Sequence, residues 1–234
     1  MVVLLPSGLP LPVHVMPSRP SVEPGSSRTR LLQAAKRLFA LQGYEQTATS
    51  AIAREAGTSE SQLMRYFGGK VGLLDALFND AWADLNERVR ETIADAPDSR
   101  AALLDLLQTI TTTLARDPDL AALFLFEGRR MRGEEPRVRV SEGFHAFAEL
   151  ARGLVRKAQA SRQLDPKLDA GAVTSALIGA CEAMIRDRVL ARAHGGRTFA
   201  EREIRHTLAA MLAGFSSGRA LKGVKTTRGA RAAS

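Results

Sequence analysis

Gly43-Tyr44-Glu45-Gln46-Thr47-Ala48-Thr49-Ser50-Ala51-Ile52-Ala53-Arg54-Glu55-Ala56-Gly57-Thr58-Ser59-Glu60-Ser61-Gln62-Leu63-Met64-Arg65-Tyr66-Phe67-Gly68-Gly69-Lys70-Val71-Gly72-Leu73-Leu74 is the stretch that decides the fold of this 234-residue chain. Residues 49–56 carry apolar side chains at helical spacing, so Ile52, Ala53 and Ala56 share one inward face. Gly57 follows as the left-handed residue that ends this helix, because a Cβ would clash there. Ser59 is the N-cap of a second short helix over 61–66, with Leu63 and the adjoining Phe67 directed inward. Helix, glycine-containing turn, helix is the helix-turn-helix pattern. Its second helix turns Glu60, Ser61, Gln62, Arg65 and Tyr66 outward, side chains able to meet base edges and phosphates. A plain helical hairpin also carries a turn glycine, so the turn alone does not separate the two.

The longer run does separate them. Gly43-Tyr44, Thr47, Ile52-Ala53, Ala56-Gly57, Ser59, Ser61, Leu63, Tyr66-Phe67, Lys70 and Leu73-Leu74, at this spacing, resemble the DNA-binding domain of the TetR (TetR/AcrR-like) family of bacterial one-component regulators. The resemblance covers residues 28 to about 78, and the remainder only as a pattern of long helices. Met64 stands where the family usually has tyrosine, Tyr66 where it has histidine, and Ala48 where a second threonine is common. The resemblance implies an all-α protein: an N-terminal three-helix helix-turn-helix domain and a C-terminal helical bundle that binds ligand and dimerises. It implies a homodimer on a palindromic double-stranded DNA operator, most often a repressor released by a small-molecule effector. A helix-turn-helix regulator governed by a protein partner, with no small ligand, is the alternative.

Charge placement agrees with a DNA partner. The formal net charge is +8. Residues 79–216 balance, and the excess falls on 28–78 and on 217–234, where Arg219, Lys222, Lys225, Arg228 and Arg231 meet no acid. Attraction to phosphate needs that placement. Cys181 stands alone, which excludes an intrachain disulfide and a cysteine-based zinc site. His14, His145, His194 and His206 are scattered, so no metal or other cofactor is expected. No convergent nucleophile or acid–base group suggests an enzyme. No apolar run is long enough to span a bilayer, and the apolar first five residues lack a basic flank before Pro6, so no membrane partner and a cytoplasmic location are expected.

Along the chain, 1–27 holds six prolines and reads as a disordered arm. The helix-turn-helix domain takes 28–78, the ligand-binding and dimerisation domain 79–216, and a basic disordered tail 217–234. Helices are expected over about 27–41, 69–94, 99–116, 117–131, 137–161, 168–193 and 199–215. The helix over 69–94 leaves the first domain and enters the second without a linker, a rod able to carry motion between them.

Three groups of site residues follow. Gln62 and Arg65 are the expected base readers, since glutamine pairs bidentately with adenine and arginine with guanine. Ser61 allows close approach, while Thr49, Tyr66 and (on the family match) Lys70 are expected at phosphates. As in similar regulators, a pocket in the C-terminal domain is expected to involve Trp82, Phe124, Phe126, Phe144, Phe147, Ile178, Cys181 and Met184, which suits an apolar or aromatic ligand. Arg129, Arg130, Arg132, Arg137 and Arg139 are either a solvated turn or an anion clamp. Finally, Gly171, Ser175, Gly179 and Ala183 recur every four residues, a small-residue stripe along which another helix can approach closely, facing Leu208, Met211, Leu212 and Phe215. Packing within one subunit competes with this reading; the resemblance favours a four-helix dimer interface. Dimerisation places two readers ~34–36 Å apart, in successive major grooves.

Overall fold

The computed structural model describes residues 25–127, 141–196 and 198–216. Every regular element among them is helical: α1 Ser27–Gln42, α2 Thr49–Glu55, α3 Glu60–Phe67, α4 Lys70–Ala94, α5 Ser99–Arg116, α6 Pro118–Ala122 with a π-helical turn Leu123–Glu127, α7 Glu142–Ala160, α8 Ala170–His194 and α9 Glu201–Gly214. The all-α expectation holds.

Local chemistry sets most of these boundaries. Side-chain oxygens of Ser26, Ser59, Asp98, Asp117, Ser141 and Asp169 accept from backbone N–H groups in the first turns of α1, α3, α5, α6, α7 and α8. Each such cap stabilises its helix by about 1 kcal/mol. Pro118, at the first position of α6, gives up no hydrogen bond there. The helix expected to continue to about 131 instead widens into the π-helical turn at Leu123. Arg129, Arg130, Arg132, Arg137 and Arg139 lie outside the described residues, as do 1–24 of the expected arm and the tail 217–234. At the arm's end, Ser26 already caps α1 and Ser27 is helical.

One apolar core runs the length of the molecule. In the N-terminal part Leu31, Ala35, Phe39, Ile52, Leu63, Leu73 and Leu74 are buried; in the bundle Leu103, Leu106, Leu107, Leu123, Phe147, Val155 and Leu177 are. α4 belongs to both ends. Its Leu73, Leu74 and Leu77 lie in the core shared with α1 and α3, and its Phe78, Trp82, Leu85 and Val89 continue that core into the bundle. α5 lies in the middle, against α4, α7, α8 and α9.

Two glycines fix the closest approaches. A Cβ on Gly72, in the first turn of α4, would lie 1.9 Å from the carbonyl oxygen of Phe67, the last residue of α3. A Cβ on Gly143 would lie 2.3 Å from Cβ of Trp82. The first contact sets the position of α3 on α4; the second sets α7 on α4.

Candidate nucleic-acid interface and effector cavities

α2 and α3 meet through Gly57, whose φ of +61° is the left-handed turn expected of it. Leu63 anchors α3 in the core, and Ser61, Met64, Arg65 and Tyr66 are exposed on it. The Ser59 hydroxyl accepts from the backbone N–H of Gln62 at 3.2 Å. Thr49 donates to the Glu60 carboxylate at 2.6 Å, tying the starts of α2 and α3 together. The Thr58 hydroxyl is hydrogen-bonded to Oε1 of Gln62. The same oxygen keeps a second lone pair, so this bond does not by itself prevent bidentate pairing of Gln62 with a base. The Arg65 guanidinium lies 5.1 Å from the Tyr66 ring centre.

Lys70 holds the fold together at this face. Its ammonium donates to the carbonyls of Tyr44 at 3.1 Å and Glu45 at 3.3 Å, and sits 4.4 Å from the Tyr44 ring centre. An ammonium has three protons, so one donor remains for a phosphate. Tyr44 itself is buried, with its ring 5.2 Å from that of Phe39. Arg28 and Arg30, near the start of α1, are engaged internally. Arg28 pairs with Asp80 of α4 at 3.0 Å, and Arg30 donates to the carbonyl of Ala56 at 2.9 Å, closing the end of α2. Met64 is 55% exposed on the outward face of α3, one turn beyond Ser61. The sequence reading noted it only as a departure from the family pattern; its three-residue step from Ser61 is the signal that places it on the outward face.

The eight expected ligand-pocket residues divide. Trp82 stacks on Phe124 with ring centres 4.7 Å apart, and Phe144 and Phe147 lie 5.5 and 5.6 Å from it, forming one aromatic cluster between α4, the π-helical turn and α7. Beside it Asn86 is buried: its amide donates to the carbonyl of Gly143 at 2.9 Å, while its Oδ1 has no partner. Phe126 is exposed. Ile178 is half-buried on α8, and Cys181 is buried there, where desolvation and then the nearby Glu182 charge push its thiol up to about 12. Met184 lines a cavity of about 320 Å³ between α5, α6, α8 and α9. A wider cleft of about 590 Å³ is lined by residues of α1, α4, α5 and α6, and the Arg28–Asp80 and Lys36–Asp117 pairs stand in its walls.

On α8, Ser175 and Gly179 are exposed and Gly171 and Ala183 half-buried, so the small-residue stripe lies open along the subunit surface. The expected facing residues divide again. Leu208 and Leu212 are fully buried in the subunit's own core, and Met211 and Phe215 are half-buried. Another helix approaching α9 meets the latter pair.

Among the described residues no group of three or more His, Cys, Asp or Glu is placed to hold a metal ion, and no helix is long and apolar enough to cross a membrane. Residues 31–77 match the family described as bacterial regulatory proteins, tetR family. The fatty acid metabolism regulator protein of Bacillus subtilis is 24% identical over 161 residues, 69% of this chain and 82% of its own. The HTH-type transcriptional repressor KstR2 of Rhodococcus jostii is 30% identical over 128 residues, 55% of this chain and 63% of its own. The crystal structure of the transcriptional regulator FadR of Bacillus subtilis in complex with stearoyl-CoA superposes with a TM-score of 0.70 at 22% identity, covering 81% of this chain and 98% of that one. The helix-turn-helix unit described above belongs to the tetR family.

Proposed function

We propose that this TetR-family regulator is a homodimeric repressor that reads a palindromic operator with its two α3 helices and is released by a small, mainly apolar ligand held in the C-terminal bundle. The observation that carries the reading is the outward face of α3, with Ser61, Arg65 and Tyr66 exposed, at the head of a 25-residue α4 that runs on into the bundle. Arg65 and Gln62 read bases with Ser61 allowing close approach, and Tyr66, the remaining donor of Lys70 and, once it exchanges its bond to Glu60, Thr49 hold phosphates. A single short helix spans too few base pairs to define a unique site, which supports a dimer. The Rhodococcus relative is named a repressor, and the stearoyl-CoA of the FadR complex supports an effector with a large apolar part. Release follows from a ligand that prefers subunits whose α3 helices stand at the wrong separation; it weakens operator binding by as much as its affinities for the two states differ. Acting on DNA places the protein in the cytoplasm.

The test is a mobility-shift titration on DNA flanking the protein's own gene, with nonspecific competitor present. A discrete complex on a palindromic site supports the reading, and sequence-blind, salt-sensitive binding alone overturns it. One observation favours control by a protein partner instead: the Trp82 cluster fills the place where an aromatic-lined pocket was expected. The open cavity bordered by Met184 weighs the other way.

A further inference from the structure

The repressor reading leaves the chemistry of the effector open, and the cavity between α5, α6, α8 and α9 narrows it. Its walls include Leu114, Met184, Ile185, Val189 and Ile204, and its volume, about 320 Å³, is at the small end of ligand sites. Arg188 and Arg192 border the same cavity from α8. Four residues apart on a helix, they lie on one face with their Cβ atoms about 6 Å apart. Among the described residues neither guanidinium has an ion-pair or hydrogen-bond partner, and no acidic side chain lines the cavity. The neighbouring acid, Asp187, immediately before Arg188, is exposed and pairs with Arg186. An apolar chamber bordered by two unneutralised guanidinium groups repels a cation and gives a neutral ligand no ionic partner. It suits an anion with an apolar body, because charge-assisted bonds from arginine to carboxylate or phosphate are the strong ones.

We propose that this cavity is the effector site and that the effector is an anionic amphiphile: its apolar body rests on Leu114, Ile185 and Ile204, and Arg188 and Arg192 hold its carboxylate or phosphate monoester. The proposal rests on the ligand-released reading above and adds the head group and its location. The same cavity has a route to the DNA-binding unit. Pro118 and Ala121 of α6 line it. Asp117, just before α6, caps that helix through Oδ1, which accepts from Leu120 N–H at 3.1 Å, and accepts from Lys36 of α1 through Oδ2 at 2.6 Å. A ligand that displaces α6 therefore pulls on α1, which packs against α2 and α3.

The experiment is calorimetric titration of the full-length protein with decanoate, decyl phosphate and decanol, repeated on R188Q/R192Q, whose helicity and melting are checked first. Mobility shifts on the operator are run with the same three compounds. At least one anion is expected to bind wild type ten-fold or more tighter than decanol, and to lose ten-fold or more in the double variant while decanol is unchanged. Binding of only one anion assigns the head group. Equal binding of decanol, undiminished anion binding by the variant, or no anion binding overturns the site. Arginine-dependent binding that leaves the operator complex intact keeps the site and removes ligand release. Release by an apolar compound without arginine dependence does the reverse.

Discussion

Gly72 leaves no space for a methyl group, because a Cβ would enter the carbonyl oxygen of Phe67. Gly72→Ala is expected to cost about 1–3 kcal/mol, as overpacking does, and to shift α3, so that operator affinity falls more than chemical-denaturation stability accounts for. Unchanged operator affinity would show that α3 is not held by this contact. Arg65→Ala is expected to lose specific binding and leave nonspecific binding largely intact, read by competition with random-sequence DNA; equal loss on all sequences removes Arg65 as a base reader. Cys181 gives a pH prediction. Its folded thiol stays neutral up to about pH 12 against an ordinary value of 9.0, so the folded state holds a proton that the unfolded chain gives up between those limits. Stability is then insensitive to this group below pH 9 and falls as pH rises from 9 toward 12. At pH 8 a thiol reagent such as Ellman's is expected to react at the rate of unfolding, and rapid native labelling would contradict the burial. Of these residues, the exposure of Arg65 on α3 was legible in the sequence, because its charge and helical position suffice. Gly72 was not, since its partner is an oxygen on another helix.

At the scale of elements, the junction between α1 and α6 rests on a shared carboxylate. Asp117 caps α6 and pairs with Lys36, whose side chain is 23% exposed against 33% for Asp117. Partial solvent access limits the ion pair to roughly 0.2–1 kcal/mol. Asp117→Asn retains a capping oxygen and is expected to cost no more than that, whereas Asp117→Ala also loses the cap, about 1 kcal/mol further. A cycle with Lys36→Met, measured by denaturant melts, separates the two terms; a zero coupling energy would show that the pair does not link α6 to α1. The start of α6 was readable, because Asp117-Pro118 carries both the cap and the first-turn proline. The π-helical turn that follows was not. Leu123 to Glu127 have a helical pattern, and a pattern of apolar residues does not distinguish a four-residue hydrogen-bond step from a five-residue one.

For the whole molecule, the proposed dimer turns on the open face of α8. A Cβ on Gly179 meets nothing within 4 Å in the single subunit. Gly179→Arg is therefore expected to leave the subunit folded, with unchanged helicity, while sedimentation velocity shows a monomer and operator binding is lost. A variant that remains dimeric would place the interface elsewhere. By itself the sequence determined the helix-turn-helix, its turn glycine, the cap of α3 and the all-helical class, because each follows from residue types at short spacing. Which apolar side chains are inside was decided only by tertiary structure. Leu208 and Leu212 looked like an interface by period and are core, since α5 covers them. That Trp82 packs on Phe124 and Phe144 was decided by how α4, the π-helical turn and α7 meet. Arg188 and Arg192 carry no sequence mark, and only the packing of four helices puts an apolar cavity beside them. Spacing along a helix fixes the direction a side chain takes from its own axis; what it meets depends on which other helix arrives there.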